Sequence, residues 1–127
     1  MDRKDSSYEA GMQVRREMFG PAGAEERVKA ATDFNRPFED AVTRYCFGDT
    51  WARPGLDRRT RSMITLAALT ALVRPNQIKV HVAAALVNGV TPEEISEILL
   101  HTSVYAGVPA GVEAFAAAAE VLKGAKK

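Results

Sequence analysis

Two histidines are the side chains of this sequence best suited to proton transfer. His81 and His101 are the two histidines among the 127 residues, and an unperturbed imidazole changes its charge near neutral pH. His81 stands in the apolar segment Val80–Ala85, where a histidine satisfied in a core or an interface competes with a catalytic one. His101 falls near the end of a predicted helix, where complementing the negative helix C-terminus, or another structural role, is favoured over catalysis when the residue is considered alone. The two residues are therefore candidate acids or bases without a defined reaction.

A cluster of arginines indicates an anion site. Four arginines fall within nine residues of sequence, namely Arg53, Arg58, Arg59 and Arg61. The last three belong to the first turn of a predicted helix, where a cation opposes the helix dipole. A bound carboxylate would offset that cost, because guanidinium groups and a helix N-terminus both attract it. Ion pairing with Asp49, Asp57 or a partner subunit explains the cluster about equally well.

Composition excludes several other classes of function. The chain has 17 basic and 16 acidic residues, so no global field favours nucleic acid or an anionic membrane. Cys46 is the single cysteine, which excludes an internal disulfide, a Cys-Xaa-Xaa-Cys pair and, with two histidines, a Cys/His zinc site. The longest apolar stretch is too short to span a bilayer. Residues 1–7 lack the apolar core of a signal peptide, so we expect a cytoplasmic location.

The apolar periodicity predicts an all-α fold. Alternating strand patterns with hairpin turns are absent, and the length suits one domain covering residues 1–127. About six helices are predicted, approximately over residues 12–19, 36–47, 58–72, 76–88, 92–104 and 110–122.

In the first half of the chain, glycine and proline set the predicted helix boundaries. Gly20 and Pro21 should end the first helix, and residues 21–27 should form a connection. Gly48 should close the second helix. The apolar face of this second helix is predicted to carry Phe38, Val42, Tyr45 and Cys46.

In the second half, capping residues set the boundaries. Asp57 is a good N-cap for the third helix, which is apolar on nearly every side and should be buried in a core or an interface. Gly89 should close the fourth helix. Thr91 with Glu94 forms the capping-box pattern at the start of the fifth. Residues 105–109 should interrupt the helical pattern before the alanine-rich sixth helix.

Four segments closely resemble the carboxymuconolactone decarboxylase family. They are residues 51–66 (Trp-Ala-Arg-Pro-Gly-Leu-Asp-Arg-Arg-Thr-Arg-Ser-Met-Ile-Thr-Leu), Lys79-Val-His81, Val87–Ile95 and His101–Pro109. The opening Tyr8-Glu-Ala-Gly-Met-Gln-Val-Arg-Arg-Glu also resembles these enzymes, so the likeness covers almost the whole chain. The resemblance implies the helical fold shared with alkylhydroperoxidase D-type proteins. It also implies a ring-shaped homo-oligomer, commonly a hexamer built from dimers or trimers.

The resemblance further implies a carboxy-lyase that needs no cofactor and no metal. Its substrate would be 4-carboxymuconolactone, a dianionic lactone from protocatechuate breakdown in the β-ketoadipate pathway, and its product the 3-oxoadipate enol-lactone. Among the site residues so implied, His81 is the preferred proton donor or oxyanion partner, with Tyr105 and His101 as weaker candidates. The other implied site residues are Arg53, Arg58 and Arg61 for carboxylate binding, Trp51 for shielding the leaving carboxylate, and Gln77, where the family usually carries an acidic residue.

Two departures and two alternatives complete the prediction. Peroxidase relatives carry a cysteine pair at the positions of Arg74 and Gln77 and a glutamate at that of Ser62, so this chain cannot perform their dithiol chemistry. One alternative is a paralogue that acts on a different lactone or keto acid. The other is a non-catalytic oligomeric scaffold, in which His81 and the arginines stabilise subunit contacts.

Overall fold

Helices make up most of the part of the chain that the structure describes. The computed structural model describes residues 3–125 and the side chains of residues 6–124. No strand occurs in this range, so the predicted all-α class is confirmed. The chain divides into two compact units, Met1–Leu56 and Asp57–Lys127. The first holds α1 (Arg3–Gly23), α2 (Glu25–Ala30), α3 (Arg36–Ala41) and a π-helix (Val42–Trp51), and the second holds α4 (Arg58–Ala71), α5 (Pro75–Val87), α6 (Pro92–Ala106) and α7 (Val108–Ala125).

The first helix is kinked where the sequence predicted its end. Gly20 has φ 72° and ψ −174°, outside the helical region, and Pro21 then begins a further helical turn. Since Pro also suits the first turn of a helix, the chain continues to Gly23. With α2 following at once, the predicted connection over residues 21–27 is wrong.

The π-helix corrects the prediction for the second helix. Gly48 does not close it, because the chain continues in i→i+5 hydrogen bonds to Trp51. Such a helix holds more than 3.6 residues per turn, so positions spaced by four remain on one side. The buried positions are Glu39, Thr43, Phe47 and Trp51. The predicted apolar face is therefore wrong, with Phe38 63% and Tyr45 72% exposed.

Two glycines allow α1 to pack closely on the π-helix. A Cβ atom on Gly11 would lie 1.9 Å from the backbone oxygen of Thr43, and one on Gly48 would lie 2.1 Å from that of Ser7. Both distances are far below van der Waals contact. Glycine is therefore needed at both positions for this contact between the two helices.

A buried ion pair joins the same elements. Arg15 is 2% exposed, and its guanidinium donates to Thr43 Oγ1 at 2.8 Å, to the Gly23 oxygen at 2.9 Å and to Glu39 at 3.2 Å. The second oxygen of Glu39 accepts a hydrogen bond from Arg27 at 3.0 Å. Burial of charge is tolerated here because both ions are multiply hydrogen-bonded.

The second unit packs four helices around one apolar core. Helix α4 contacts α5 and α6, and α7 contacts the same two helices as well as α4. The small side chains of α7 allow this close approach. The core consists of Leu66, Ile78, Val82, Ala85, Val90, Ile95, Leu99, Ala114, Ala117 and Ala118.

The predicted caps of the second unit are confirmed. Asp57 accepts the backbone N–H of Thr60 at 2.7 Å, and Thr91 forms the predicted capping box with Glu94. Gly89, with φ +94°, follows the end of α5. The predicted break over residues 105–109 is shorter than expected, because α6 reaches Ala106 and α7 begins at Val108.

None of the described helices combines the length and the apolarity needed to cross a bilayer.

Candidate active site

One hydrogen bond aligns two rows of side chains on α4 and α5. The Nδ2 atom of Asn88 donates to Oγ of Ser62 at 3.0 Å. Residues at three- and four-residue steps share one side of a helix. Ser62 and Asn88 therefore each belong to a row of side chains that follows one side of their helix. The α4 row is Arg58, Ser62, Thr65 and Leu69. The α5 row is Gln77, His81 and Ala84, continued by Asn88, the C-cap residue directly after the helix. Since Ser62 contacts Asn88, the two rows adjoin.

The direction of the helices fixes the order of groups along these rows. A three-residue turn joins the end of α4 to the start of α5, and the Ser62–Asn88 bond joins the start of α4 to the end of α5. The helices are therefore antiparallel. His81 lies two turns from Asn88, about 10 Å along α5, whereas Arg58 lies one turn beyond Ser62 in the opposite direction. The rows thus carry a cation near one end and an imidazole near the other.

His81 lies half-buried in the α5 row. Its Nδ1 atom is buried, which leaves Nε2 as the ring nitrogen available for assignment to a substrate contact. Burial lowers the pKa of His81 below its ordinary value of 6.5, because loss of water disfavours the charged imidazolium. The neutral imidazole therefore predominates at pH 7, and a neutral imidazole donates one hydrogen bond.

The arginines of the first turn of α4 divide into two groups. Arg58 belongs to the α4 row, and Arg61 lies beside it, one turn before Thr65. Both are half-buried. Arg59 faces the α5–α6 connection instead, where it donates to the backbone oxygen of Gly89 at 3.3 Å and forms an ion pair with Glu94. Of the three arginines predicted to bind a carboxylate, Arg53, Arg58 and Arg61, the last two share the side of His81.

His101 and Tyr105 lie on another side of the second unit. Their rings are 5.3 Å apart on α6, and Tyr105 is 81% exposed. His101 lines a groove of about 480 Å³, together with Ile64 and other residues of α4. Ile64 follows Ser62 by two residues and so lies about 160° around the helix from it. Within this unit, the structure does not bring His101 or Tyr105 to the two rows.

Trp51 and Arg53 belong to the first unit. Trp51 ends the π-helix, is 8% exposed and has its ring 6.1 Å from that of Phe47. Arg53 follows two residues later and is exposed. Their roles in binding a substrate stay predictions.

The structure adds polar groups that sequence reasoning missed. The sequence predicts Asn88 as the end of a helix and indicates Ser62 only as the residue that stands where relatives carry a glutamate. Counting three- and four-residue steps along α5 from His81 leads through Ala84 to Asn88, a signal present in the sequence. The pairing of Asn88 with Ser62 had no sequence signal, because it depends on the register between two helices.

The rows offer the chemistry of an organic-anion site. Two guanidinium groups can hold a carboxylate in bidentate fashion, and a neutral imidazole can donate to a developing oxyanion. Within residues 3–125, no three His, Cys, Asp or Glu side chains stand close enough together to hold a metal ion.

Comparisons with known proteins agree with this kind of site. The profile of the carboxymuconolactone decarboxylase family matches residues 36–120. The chain is 40% identical to 4-carboxymuconolactone decarboxylase of Acinetobacter baylyi, over 94% of this chain and 89% of the relative. It is 37% identical to nitrosuccinic acid decarboxylase of Metarhizium robertsii, over 84% of this chain and 75% of the relative. A 4-carboxymuconolactone decarboxylase sequence of Pseudomonas putida is 43% identical over 39% of this chain and 100% of its own length.

The fold and these relatives define an all-helical carboxy-lyase. The chain belongs to the carboxymuconolactone decarboxylase family.

Proposed function

We propose that this protein decarboxylates 4-carboxymuconolactone to the 3-oxoadipate enol-lactone in protocatechuate breakdown. The relative from Acinetobacter baylyi supports the substrate. The observation that carries the proposal is the placement of Arg58, Arg61 and His81 on one side of the α4–α5 pair. A cytoplasmic location, where this breakdown supplies the lactone, is part of the proposal.

The proposed reaction needs only groups that this chain carries. The reacting ring carbon of the lactone bears both a carboxylate and an acetate arm. When its bond to the carboxylate breaks, carbon dioxide leaves and the electron pair moves through the ring double bond to the lactone carbonyl oxygen. A proton then adds to the α-carbon, which gives the enol-lactone. The protein must hold the acetate arm, stabilise the oxyanion and deliver one proton.

The rows suggest a role for each group. Arg58 and Arg61 hold the carboxylate of the acetate arm, and Arg53 is a further carboxylate ligand in the proposal. His81 donates from Nε2 to the lactone oxygen. A dianion bound beside it favours the imidazolium form, so the same ring is the proposed proton donor. Two weaker contributors complete the proposal, namely Gln77 and Trp51. Because His101 and Tyr105 lie on another side of the second unit, the proposal gives them no part within one protomer.

The direct test mixes the purified protein with 4-carboxymuconolactone made freshly by the preceding cycloisomerase. Carbon dioxide release and enol-lactone formation should both exceed the spontaneous rate. Release at the spontaneous rate would contradict the proposal. The remaining alternatives would then be a paralogue that acts on a different substrate and a non-catalytic oligomeric scaffold. If the wild-type protein decarboxylates the lactone, His81→Ala should lower its kcat by roughly 10²–10⁴-fold. Asn76→Ala, at an exposed position of the same helix, is the control and should keep wild-type kcat.

The arginines are tested by substrate affinity. A hydrogen bond to a charged group contributes about 1.5–3 kcal/mol, so Arg58→Gln or Arg61→Gln should raise KM roughly 10- to 100-fold. Arg74→Gln removes an exposed arginine that bonds to the backbone oxygen of Leu72 and is the matched control. Wild-type KM in both site variants would exclude them from carboxylate binding.

The second candidate substrate is 2-nitrosuccinate, favoured by the relative from Metarhizium robertsii. Both compounds carry the leaving carboxylate on a carbon that also bears an acetate arm. Both place an electron acceptor on that carbon, which is the unsaturated lactone in one and the nitro group in the other. Loss of carbon dioxide from nitrosuccinate gives a nitronate, which takes up a proton to become 3-nitropropanoate. Comparing kcat/KM for the two compounds decides which one the site prefers.

We also infer that the protein forms a homo-oligomer, with the hexamer implied by the family as the expected size. Four apolar side chains on the last turns of α6 and the first of α7 support this, because each is at least 60% exposed, namely Val104, Tyr105, Val108 and Val112. Exposed apolar surface of this kind commonly marks a protein interface.

A further inference from the structure

One ion pair ties the first turn of α4 to the start of α6. Arg59 donates from Nε to the backbone oxygen of Gly89 at 3.3 Å, and from Nη2 to Oε2 of Glu94. The other carboxylate oxygen of Glu94 accepts the backbone N–H of Thr91 at 2.9 Å. Glu94 therefore caps its own helix with one oxygen and holds α4 with the other.

The same turn is attached a second time through the neighbouring residue of the α5–α6 connection. The side chain of Asn88 donates to Ser62, and Ser62 is fully buried. Asn88 directly precedes Gly89, so both attachments of α4 begin at adjacent residues. The turn that carries Arg58 is consequently fixed on two of its sides.

We propose that Glu94, acting through Arg59, is a positioning residue for substrate binding. By holding Arg59 against the α5–α6 connection, Glu94 sets the direction in which Arg58 and Arg61 leave α4. This inference rests on the proposed function, in which those two arginines bind a carboxylate of the substrate.

The inference predicts a specific kinetic pattern. The carboxylate of the acetate arm does not react, so it is bound equally before and during the reaction. Poorer positioning of its ligands therefore raises KM and leaves kcat nearly unchanged. A residue that only stabilises α6 would change the free energy of unfolding without this split.

Glu94→Gln is the informative variant. A glutamine supports the capping box as a glutamate does, but it lacks the charge that holds Arg59. The pair is partly exposed, so KM for the lactone should rise by up to about fivefold. Arg59→Lys should retain more of the wild-type KM than Arg59→Gln, because it keeps a cation beside Glu94. The control is Glu120→Gln, which removes the exposed Lys79–Glu120 pair between α5 and α7 and should leave KM unchanged.

A double-mutant cycle tests whether Glu94 acts through the arginines. In an Arg58→Gln/Arg61→Gln background, Glu94→Gln should add no further rise in KM, since the groups to be positioned are absent. An additive rise would overturn the inference, because it would show that Glu94 affects binding by another route.

A substrate-free measurement separates this inference from the proposed function. The NMR signals of the Nε–H groups of Arg58 and Arg61 should shift in Glu94→Gln and not in Glu120→Gln. Unchanged signals in Glu94→Gln would overturn the inference. Shifted signals in a protein that fails to decarboxylate the lactone would support positioning by Glu94 and contradict the proposed function.

Discussion

At the scale of single residues, His81 has a half-buried imidazole ring that lies in the α5 row. Burial lowers its pKa, so the folded protein binds the imidazole proton less readily than the unfolded chain does. The stability that follows from this difference is fully present above the unfolded pKa of 6.5. It decreases as the pH falls through the lower pKa of the folded state.

We expect the His81 imidazole to titrate below pH 6.5 in NMR spectra of the free protein. The loss of unfolding free energy between pH 7.5 and pH 5 should also be smaller in His81→Gln, whose side chain does not titrate. Urea denaturation at the two pH values measures this difference. Equal losses in the wild type and in His81→Gln would show that burial does not perturb this histidine.

Gln77 lies one helical turn before His81 and gives a second prediction at this scale. A carboxylate at this position would stabilise the imidazolium, so Gln77→Glu should raise the pKa of His81. Asn76→Asp adds the same charge on a different side of α5 and should shift this pKa less. NMR titration of both variants measures the effect, and equal shifts would mean that Gln77 has no special proximity to the ring.

At the scale of elements, the contact between α1 and the π-helix depends on glycine. Helix propensity alone predicts that Gly11→Ala stabilises a helix by about 1 kcal/mol. The added Cβ would lie 1.9 Å from a backbone oxygen of Thr43, and such overpacking costs about 1–3 kcal/mol. We therefore expect Gly11→Ala to lower the urea midpoint.

The matched control for Gly11 is another helical glycine. A Cβ on Gly124 of α7 would meet nothing within 4 Å, so Gly124→Ala should leave the urea midpoint unchanged or raise it. If Gly11→Ala also raised the midpoint, α1 would have room to move away from the π-helix.

Local capping explains why the sequence predicted some helices better than others. Helices α4 and α6 begin at the side chains of Asp57 and Thr91, which cap them locally, and local hydrogen bonds can be predicted from adjacent residues. The π-helix has no such signal. The buried row that runs from α3 into the π-helix includes Glu39 and Thr43, which both form hydrogen bonds with Arg15 of α1. A periodicity that assumes 3.6 residues per turn and an apolar core cannot find them.

In the candidate site, too, some features could be predicted from the sequence and others could not. The sequence indicated His81, Arg58 and Arg61 from their types and from family resemblance, and the structure places these three on one side of α4 and α5. It also indicated His101, a residue of α6 that lines a groove on a different side of α4. Which side of a helix faces which neighbour depends on long-range packing, so spacing within one segment could not separate these residues.

At the scale of the whole molecule, the exposed apolar residues of α6 and α7 lead to a prediction about assembly. Val108 is 73% and Val112 60% exposed, although water disfavours large contiguous apolar surfaces. Sedimentation of the wild-type protein at micromolar concentration should give the mass of an oligomer. Val108→Asp should lower that mass, because an interface that buries a valine must desolvate an unpaired carboxylate in its place. Phe34→Asp, at a 95% exposed position of the first unit, should retain the oligomer. A monomeric wild type would contradict assembly altogether. Dissociation caused by Phe34→Asp and not by Val108→Asp would show that the interface is formed by the first unit instead.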